Sequence, residues 1–281
     1  MNSVKILINF GVLALLDFLS CTKVGCFIKR SFLDQIRKTQ KVVYHDGVRM
    51  VFATPNELCT YRAVTFSIKE PETLEWIDGF REGAVLWDIG ANVGLYSIYA
   101  AKRRGCRVFA FEPSIFNLEC LGRNSFLNAV TDQVTLMPFA LSDQIALSPL
   151  HMTSTDLGGA LSTFDKTYGH DGRKLQEVFR FTTLGVPIDD VVRYLGIPAP
   201  TYIKLDVDGI EHLILRGGTN TLSKTQEILI EVNDDFTALS VECAEMLRAA
   251  GLQLREKRQG VGMGAKGIFQ NTYNQIWCRP K

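Results

Sequence analysis

The chain has 281 residues, 46% of them hydrophobic, enough to bury a substantial core as one large domain or two small ones. Lysine and arginine number 31 against 30 aspartate and glutamate, so no global field draws nucleic acid or an anionic surface, and the expected partner is a small molecule. Seven cysteines, at 21, 26, 59, 106, 120, 243 and 278, are odd in number and form no C-x-x-C pair, which argues for reduced, buried thiols in a cytoplasmic protein rather than a disulfide framework or a zinc site.

Val4 to Leu19 is the most apolar stretch, broken only by Lys5, Asn9, Gly11 and Asp17. It falls short of the roughly 20 residues of a spanning helix, and Asn9 and Asp17 are costly in lipid. Ser20-Cys21-Thr22 is a poor cleavage site for a signal peptide. Residues 4–19 are therefore expected to form a helix that packs on the domain or makes peripheral contact with a membrane or partner. Residues 1–45 are set apart as a hydrophobic, helical extension to a domain of 46–281.

From Val85 onward, short apolar runs alternate with amphipathic helical stretches, the pattern of βαβ units and a mostly parallel sheet. Val85 to Asp88 reads as a strand, followed by a Gly-rich turn, a helix from Leu95 to Arg103 ended by Gly105, and a strand from Arg107 to Phe111. Pro113 suits the first turn of a helix to Asn128, and Gln133 to Leu141 alternates as a third strand. Residues 142–182 are polar and turn-rich, and read as a long functional or mobile loop. A helix opened by Pro187 and closed by Gly196 leads to the strand Thr201 to Asp206. Helix Ile210 to Arg216, strand Glu227 to Val232 and helix Thr237 to Ala250 follow. Leu252 to Arg258 and Gln275 to Arg279 read as a final hairpin that adds an antiparallel member.

Asp88-Ile89-Gly90-Ala91-Asn92-Val93-Gly94 sits between the first strand and its helix, where ligands bind in such sheets. Glycines at 90 and 94 permit backbone conformations and close approach that a Cβ would block, although a tight turn alone also needs them. Glu112 ends the next strand 22 residues beyond Gly90, near the roughly 20-residue interval at which an acid reaches a ribose diol. A pyrophosphate would be repelled by Asp88, and the G-x-G-x-x-G pattern is missing. An ammonium and a sulfonium are favoured beside Asp88, which points to S-adenosylmethionine rather than a dinucleotide.

Val85 to Gly94, Phe111-Glu112-Pro113-Ser114, Ala140-Leu141-Ser142-Asp143 and Tyr202-Ile203-Lys204-Leu205-Asp206-Val207-Asp208-Gly209-Ile210-Glu211 together resemble FkbM-family methyltransferases, over roughly residues 80 to 235. The resemblance implies a doubly wound, Rossmann-like class I methyltransferase fold, with a mostly parallel seven-stranded sheet whose last strand is antiparallel. It also implies O-methylation of a hydroxyl on a sugar, glycolipid or polyketide-like metabolite. The expected cofactor residues are Asp88, Gly90, Ala91, Asn92, Gly94, Glu112, Pro113, Ala140 and Leu141. Where the resemblance leads one to expect His two residues beyond Glu231, this chain has Asn233, so no role carries over to that position.

Methyl transfer from a sulfonium is an in-line displacement, so the protein must align the acceptor oxygen and help remove its proton. The candidates at the fourth strand are Lys204, Asp206, Asp208 and Glu211. Three carboxylates in six residues are expected to raise one another's pKa, which suits a base, and Asp206 is the first choice. Asp208 and Glu211 also have the spacing of a capping box, and Lys204 shares the face of Asp206. His212 reads as a helix-surface residue. Asp206 with Asn233, Asp234 and Asp235 would suit magnesium, but such residues are more often turn formers or caps, and no metal is expected. Two alternatives stand beside the methyltransferase: a nicotinamide-dependent oxidoreductase, separable by cofactor binding, and a non-catalytic binding protein, separable by turnover.

Overall fold

The computed structural model describes residues 11–12, 14–260 and 269–280. After a helical turn and a half at 14–19, Thr22 caps α1 (Lys23–Arg37) by accepting a hydrogen bond from the N–H of Gly25. A hairpin of β1 (Gln40–His45) and β2 (Val48–Ala53) turns at Asp46-Gly47, and α2 (Glu57–Lys69) and α3 (Pro71–Asp78) follow. Asn124 and Asn128 accept the backbone N–H groups of Ala53 and Val51, and Met50 and Phe52 are fully buried. The hairpin is thus built into the main core, and the expected division at 45/46 falls within its turn.

The expected alternation is present from β3 (Val85–Ile89) through α4 (Leu95–Arg104), β4 (Arg107–Phe111), α5 (Ile115–Leu127) and β5 (Val134–Met137). Gly105, in the left-handed region at φ 57°, ends α4 as its position predicts. Pro113 lies outside its helix, because Ser114 is the cap of α5. The predicted strand 133–141 is cut in two at Pro138, and β6 (Ala140–Leu141) joins a separate sheet.

Residues 142–182 are not one loop. They carry β7 (Ala146–Met152), β8 (Thr163–Phe164) and the start of β9 (Phe179–Val186), in a four-stranded sheet of order β6-β9-β7-β8. The chain continues with α6 (Ile188–Leu195), β10 (Tyr202–Leu205), α7 (Glu211–Arg216), α8 (Thr219–Leu222), β11 (Glu227–Asn233), α9 (Thr237–Ala249), β12 (Gln253–Arg258) and β13 (Thr272–Cys278), whose start lies three residues before the predicted one.

The main sheet has the order β12-β13-β11-β10-β3-β4-β5, with β3, β4, β5, β10 and β11 parallel and β13 antiparallel to β11. This is the doubly wound, mostly parallel seven-stranded sheet that the family resemblance implies. Strand alternation divides its side chains between two faces. Trp87, Ile89, Ile203, Leu205, Ile228 and Ile230 pack with residues of α6, α7 and α9. Leu86, Tyr202 and Leu229 pack on the other side with α2, α3 and α4. Asp88, Lys204 and Glu231 have the parity of that second group, so polar residues meet at the carboxyl end of one face. All seven cysteines are free, four of them buried.

Candidate active site

Gly90, at φ +83°, follows β3 where the backbone just beyond β10 passes close by, and a Cβ there would lie 1.8 Å from the carbonyl oxygen of Asp206. Its glycine requirement is therefore set by neighbouring backbone, not only by an approaching ligand. Gly90→Ala is expected to lower the melting temperature together with cofactor affinity; equal melting temperatures by calorimetry would contradict this. Gly94, at φ +82°, precedes α4 and meets the Leu121 side chain in the same way. The N–H groups of Gly90 and Ala91 both donate to the carbonyl of Phe111, which ties the turn to β4.

Asn92 has a left-handed backbone at φ 51°, and its N–H donates to Glu112 Oε2 at 2.8 Å. Its side-chain amide donates to the Gly159 carbonyl at 2.7 Å, while its Oδ1 is buried without a donor. Glu112 Oε1 also accepts the N–H of Ser114 at 2.8 Å. Burial outweighs these hydrogen bonds and pushes the Glu112 carboxyl up to about 7. Beside it, Pro113, Phe139, Ala140, Leu141, Phe164 and Ile210 line an apolar cavity suited to a flat ring.

A second cleft, with about 500 Å³ of unfilled space, opens on the other side of Gly90 and is walled by Asp88, Tyr96, Lys204 and Asp206 together with Arg62 and Lys69 of α2. Asp88 accepts from Ser97 Oγ through Oδ2, but its Oδ1 is buried with no donor. Burial raises its pKa, against the pull of Lys204. Lys204, itself only 3% exposed, lies opposite Asp88 across the sheet and donates to Asp206 Oδ2 at 2.7 Å. Burial opposes its charge, but Asp206, Glu70 and Asp88 together hold it protonated above its ordinary range. Burial pushes Asp206 up, but the charge and hydrogen bond of Lys204, together with Lys69 and Arg62, hold it below the ordinary carboxylate value. The expected mutual raising of the three acids thus fails at Asp206.

The capping box is only half formed. Asp208 has φ +64° and accepts the N–H of Leu161 at 2.7 Å, instead of capping α7. Glu211 reaches back to the N–H groups of Val207 and Gly209, so it braces the turn that carries Asp206 and Asp208. Burial pushes Asp208 up to about 6 and Glu211 up to about 7. His212 is 9% exposed rather than on the surface. Asn233 accepts the N–H of Asp235, Asp234 pairs with Lys257, and Asp235 takes the Asn271 amide.

Sequence reasoning missed Arg62, Lys69 and Glu70, which arrive from helices that precede every recognisable motif, and Tyr96, hidden in an ordinary helix. It also missed Glu231, although the period-two parity of β11 places it on the face of Lys204. A strap at residues 157–161 roofs the site: Leu157 and Gly158 carbonyls accept from Asn56 and Arg62, and the Gly159 carbonyl accepts from both Asn92 and Asn117.

Residues 88–254 match the family described as "Methyltransferase FkbM domain", well over half of the chain. The chain belongs to this family. Residues 1–43 match a second family, described as a protein of unknown function (DUF1563). The chain is 27% identical to the hexuronic acid methyltransferase AglP of Haloferax volcanii over 152 residues, 54% of this chain and 57% of that protein. It is 27% identical to the 31-O-demethyl-FK506 methyltransferase FkbM of Streptomyces tacrolimicus over 192 residues, 61% of this chain and 73% of that one. Among solved structures, P. horikoshii TYW2 in complex with MeSAdo aligns at 10% identity with a TM-score of 0.46, over 85% of this chain and 70% of its own.

Membership in the FkbM family replaces the oxidoreductase alternative, and the cofactor of such a domain is S-adenosylmethionine. The residues present fit it. The orphaned Asp88 Oδ1 offers an acceptor to an ammonium, Glu112 keeps lone pairs for a diol beyond its two backbone donors, and the apolar cavity suits a purine.

Proposed function

We propose that this FkbM-family chain is an O-methyltransferase that moves a methyl group to a hydroxyl of a small metabolite, a sugar, glycolipid or polyketide-like molecule. The observation that carries the reading is the run of Asp88, Lys204 and Asp206 along one sheet face, in a cleft that shares Gly90 with the apolar cavity. The names of the two relatives, which specify a hexuronic acid and 31-O-demethyl-FK506, favour oxygen acceptors. In this reading Asp88 holds the cofactor's ammonium, Glu112 its ribose, and Pro113, Ala140 and Leu141 its base. When bound, the cofactor supplies an electrophilic methyl group. Lys204 and Asp206, whose side chain is 27% exposed, orient the acceptor hydroxyl, and Asp208 closes the strap through Leu161.

The test is transfer of labelled methyl groups to a panel of sugars, glycolipids and polyketides, with products located by mass spectrometry. Absence of any O-methyl product from a folded, cofactor-binding protein would favour the binding-protein reading. Asp88→Asn is expected to weaken S-adenosylhomocysteine by about 10- to 100-fold, the loss of one charge-assisted hydrogen bond, as read by calorimetry. Unchanged affinity would remove Asp88 from the ammonium site.

We also propose that the N-terminal extension makes peripheral contact with a membrane through the expected segment 4–19 and α1, and that it ends with α1 at Arg37 rather than at residue 45. Of the apolar segment 4–19, residues 4–10 and 13 lie outside the described residues. Val12, Leu15 and Phe18 are exposed, as are Val24, Phe27 and Phe32 of α1, which also carries Lys29, Arg30 and Arg37. No helix among the described residues is long and apolar enough to cross a membrane. The double variant Phe27→Glu, Phe32→Glu is expected to lose flotation with phosphatidylserine vesicles while keeping cofactor affinity. Equal flotation of the variant would contradict the contact.

A further inference from the structure

The sheet face and the α2–α3 junction that covers it carry acids that have found partners. Asp88 takes the hydroxyl of Ser97, Asp206 the ammonium of Lys204, Glu70 that of Lys69, and Glu72 the side-chain amide of Asn274. Glu231 is the exception. It is 8% exposed, yet among the described residues its carboxylate has neither a hydrogen bond nor an ion pair. A buried acid without a donor is costly, so a site that keeps one has it ready for a ligand or a proton.

Its surroundings define which. Leu205 pairs with Ile230 in register, so Asp206, just past β10, and Glu231, near the carboxyl end of β11, lie side by side. The carboxylate oxygens of Asp206, Asp208 and Glu231 lie within 4.8 Å of one another. Glu70 and Lys69 face it from the end of α2, and β13 presents Asn274, whose amide is already given to Glu72. Lys204, the buried cation on this sheet face, is committed to Asp206, and Lys69 to Glu70.

We propose that Glu231 is the catalytic base, receiving the proton of the acceptor hydroxyl that the Lys204–Asp206 pair orients; this rests on the O-methyltransferase reading. Asp206, stabilised as an anion by Lys204, is a weak proton acceptor. Burial and the negative charges of Asp206, Glu70 and Asp208 instead raise Glu231 well above the ordinary carboxylate range, which strengthens it as a base. In the step, the acceptor O–H bond breaks toward Glu231 while the O–methyl bond forms and the methyl–sulfur bond breaks, its electron pair remaining on sulfur. The proton then leaves Glu231 for solvent.

The closing experiment compares wild type, Glu231→Gln and Asp206→Asn, using labelled S-adenosylmethionine and a panel of methyl hexosides and hexuronides. Glu231→Gln is expected to lose about 100-fold or more in kcat and the acidic limb of the pH profile, with cofactor Kd and Tm unchanged. Asp206→Asn is expected to keep the acidic limb while raising acceptor KM. Carbon-13 NMR of labelled glutamate in the S-adenosylhomocysteine complex, assigned with Glu231→Gln, is expected to show Glu231 titrating above the ordinary range. Wild-type turnover matched by Glu231→Gln, an ordinary Glu231 titration, or activity lost to chelator and restored by magnesium would each overturn the base assignment and leave the O-methyl reading standing. A wild type that binds cofactor but methylates no hydroxyl would overturn the reading itself.

Discussion

Lys204→Met is expected to cost about 3–5 kcal/mol of stability, because removal of one partner leaves buried charge uncompensated. Lys204 is 3% exposed and serves both Asp88 across the strand pair and Asp206 at 2.7 Å. The pH dependence gives the diagnosis. In the wild type Asp206 lies below its ordinary value, so its contribution is present above the unfolded pKa and is lost as pH falls through the folded one. In the variant both Asp88 and Asp206 lose their cation: Asp88, already raised by burial in the wild type, rises further, and Asp206 rises above its unfolded value. The folded variant then holds extra protons, and its stability falls as pH rises through the gap. The deficit should therefore be largest near about pH 7.5 and shrink toward about pH 4.5, measured by urea unfolding at both. A deficit independent of pH would mean that lost packing against Tyr96, rather than lost charge compensation, sets the cost.

The alternation of βαβ units was legible because buried strands such as Val85–Ile89 and Glu227–Asn233 are short apolar runs bounded by polar or glycine turns. The small sheet was not. Pro149 sits inside β7, β8 has two residues, and β9 is half exposed, so each falls below the signal by which strands are read. The hairpin at 40–53 and α2 precede all the motifs, and nothing local announces that they close the sheet face holding the site.

Within the site, residues whose role follows from the end of a strand were readable. Asp88, Glu112 and Asp206 each end a strand or follow one directly, and period two put Lys204 beside Asp206. Roles that depend on backbone path were not. The spacing of Asp208 and Glu211 is that of a capping box, but left-handed φ values of 64° at Asp208 and 120° at Gly209 swing the first acid to Leu161. Glu231 required two things that no single strand contains: the register of β11 against β10, and the knowledge that each neighbouring acid already has its donor.

Glu112→Gln is expected to weaken S-adenosylhomocysteine by on the order of 10- to 1,000-fold above about pH 8, since two ribose hydroxyls then lose an ionised acceptor. The larger test is the pH dependence. Burial lifts Glu112 from 4.5 to about 7 even with the N–H groups of Ser114 and Asn92 bonded to it. Below 7 the carboxyl is neutral and the charge-assisted bonds to the diol are missing. Affinity should therefore be full above about pH 8 and fall by up to about tenfold per unit below 7, with a proton released on binding near neutrality. For the ligand-free fold the sign is reversed. A raised folded pKa means that the native state holds the proton between 4.5 and 7, so this group's contribution declines as pH rises through that window and is constant above it. Stability and affinity thus move oppositely with pH in the wild type, and Glu112→Gln should remove both trends at this group. Calorimetry in buffers of different ionisation enthalpy reads the released proton directly. A wild-type affinity that is flat between about pH 6 and 8, or a variant that keeps the wild-type slope, would take Glu112 out of the ribose site and leave it as the brace that its bonds to Asn92 and Ser114 already make it.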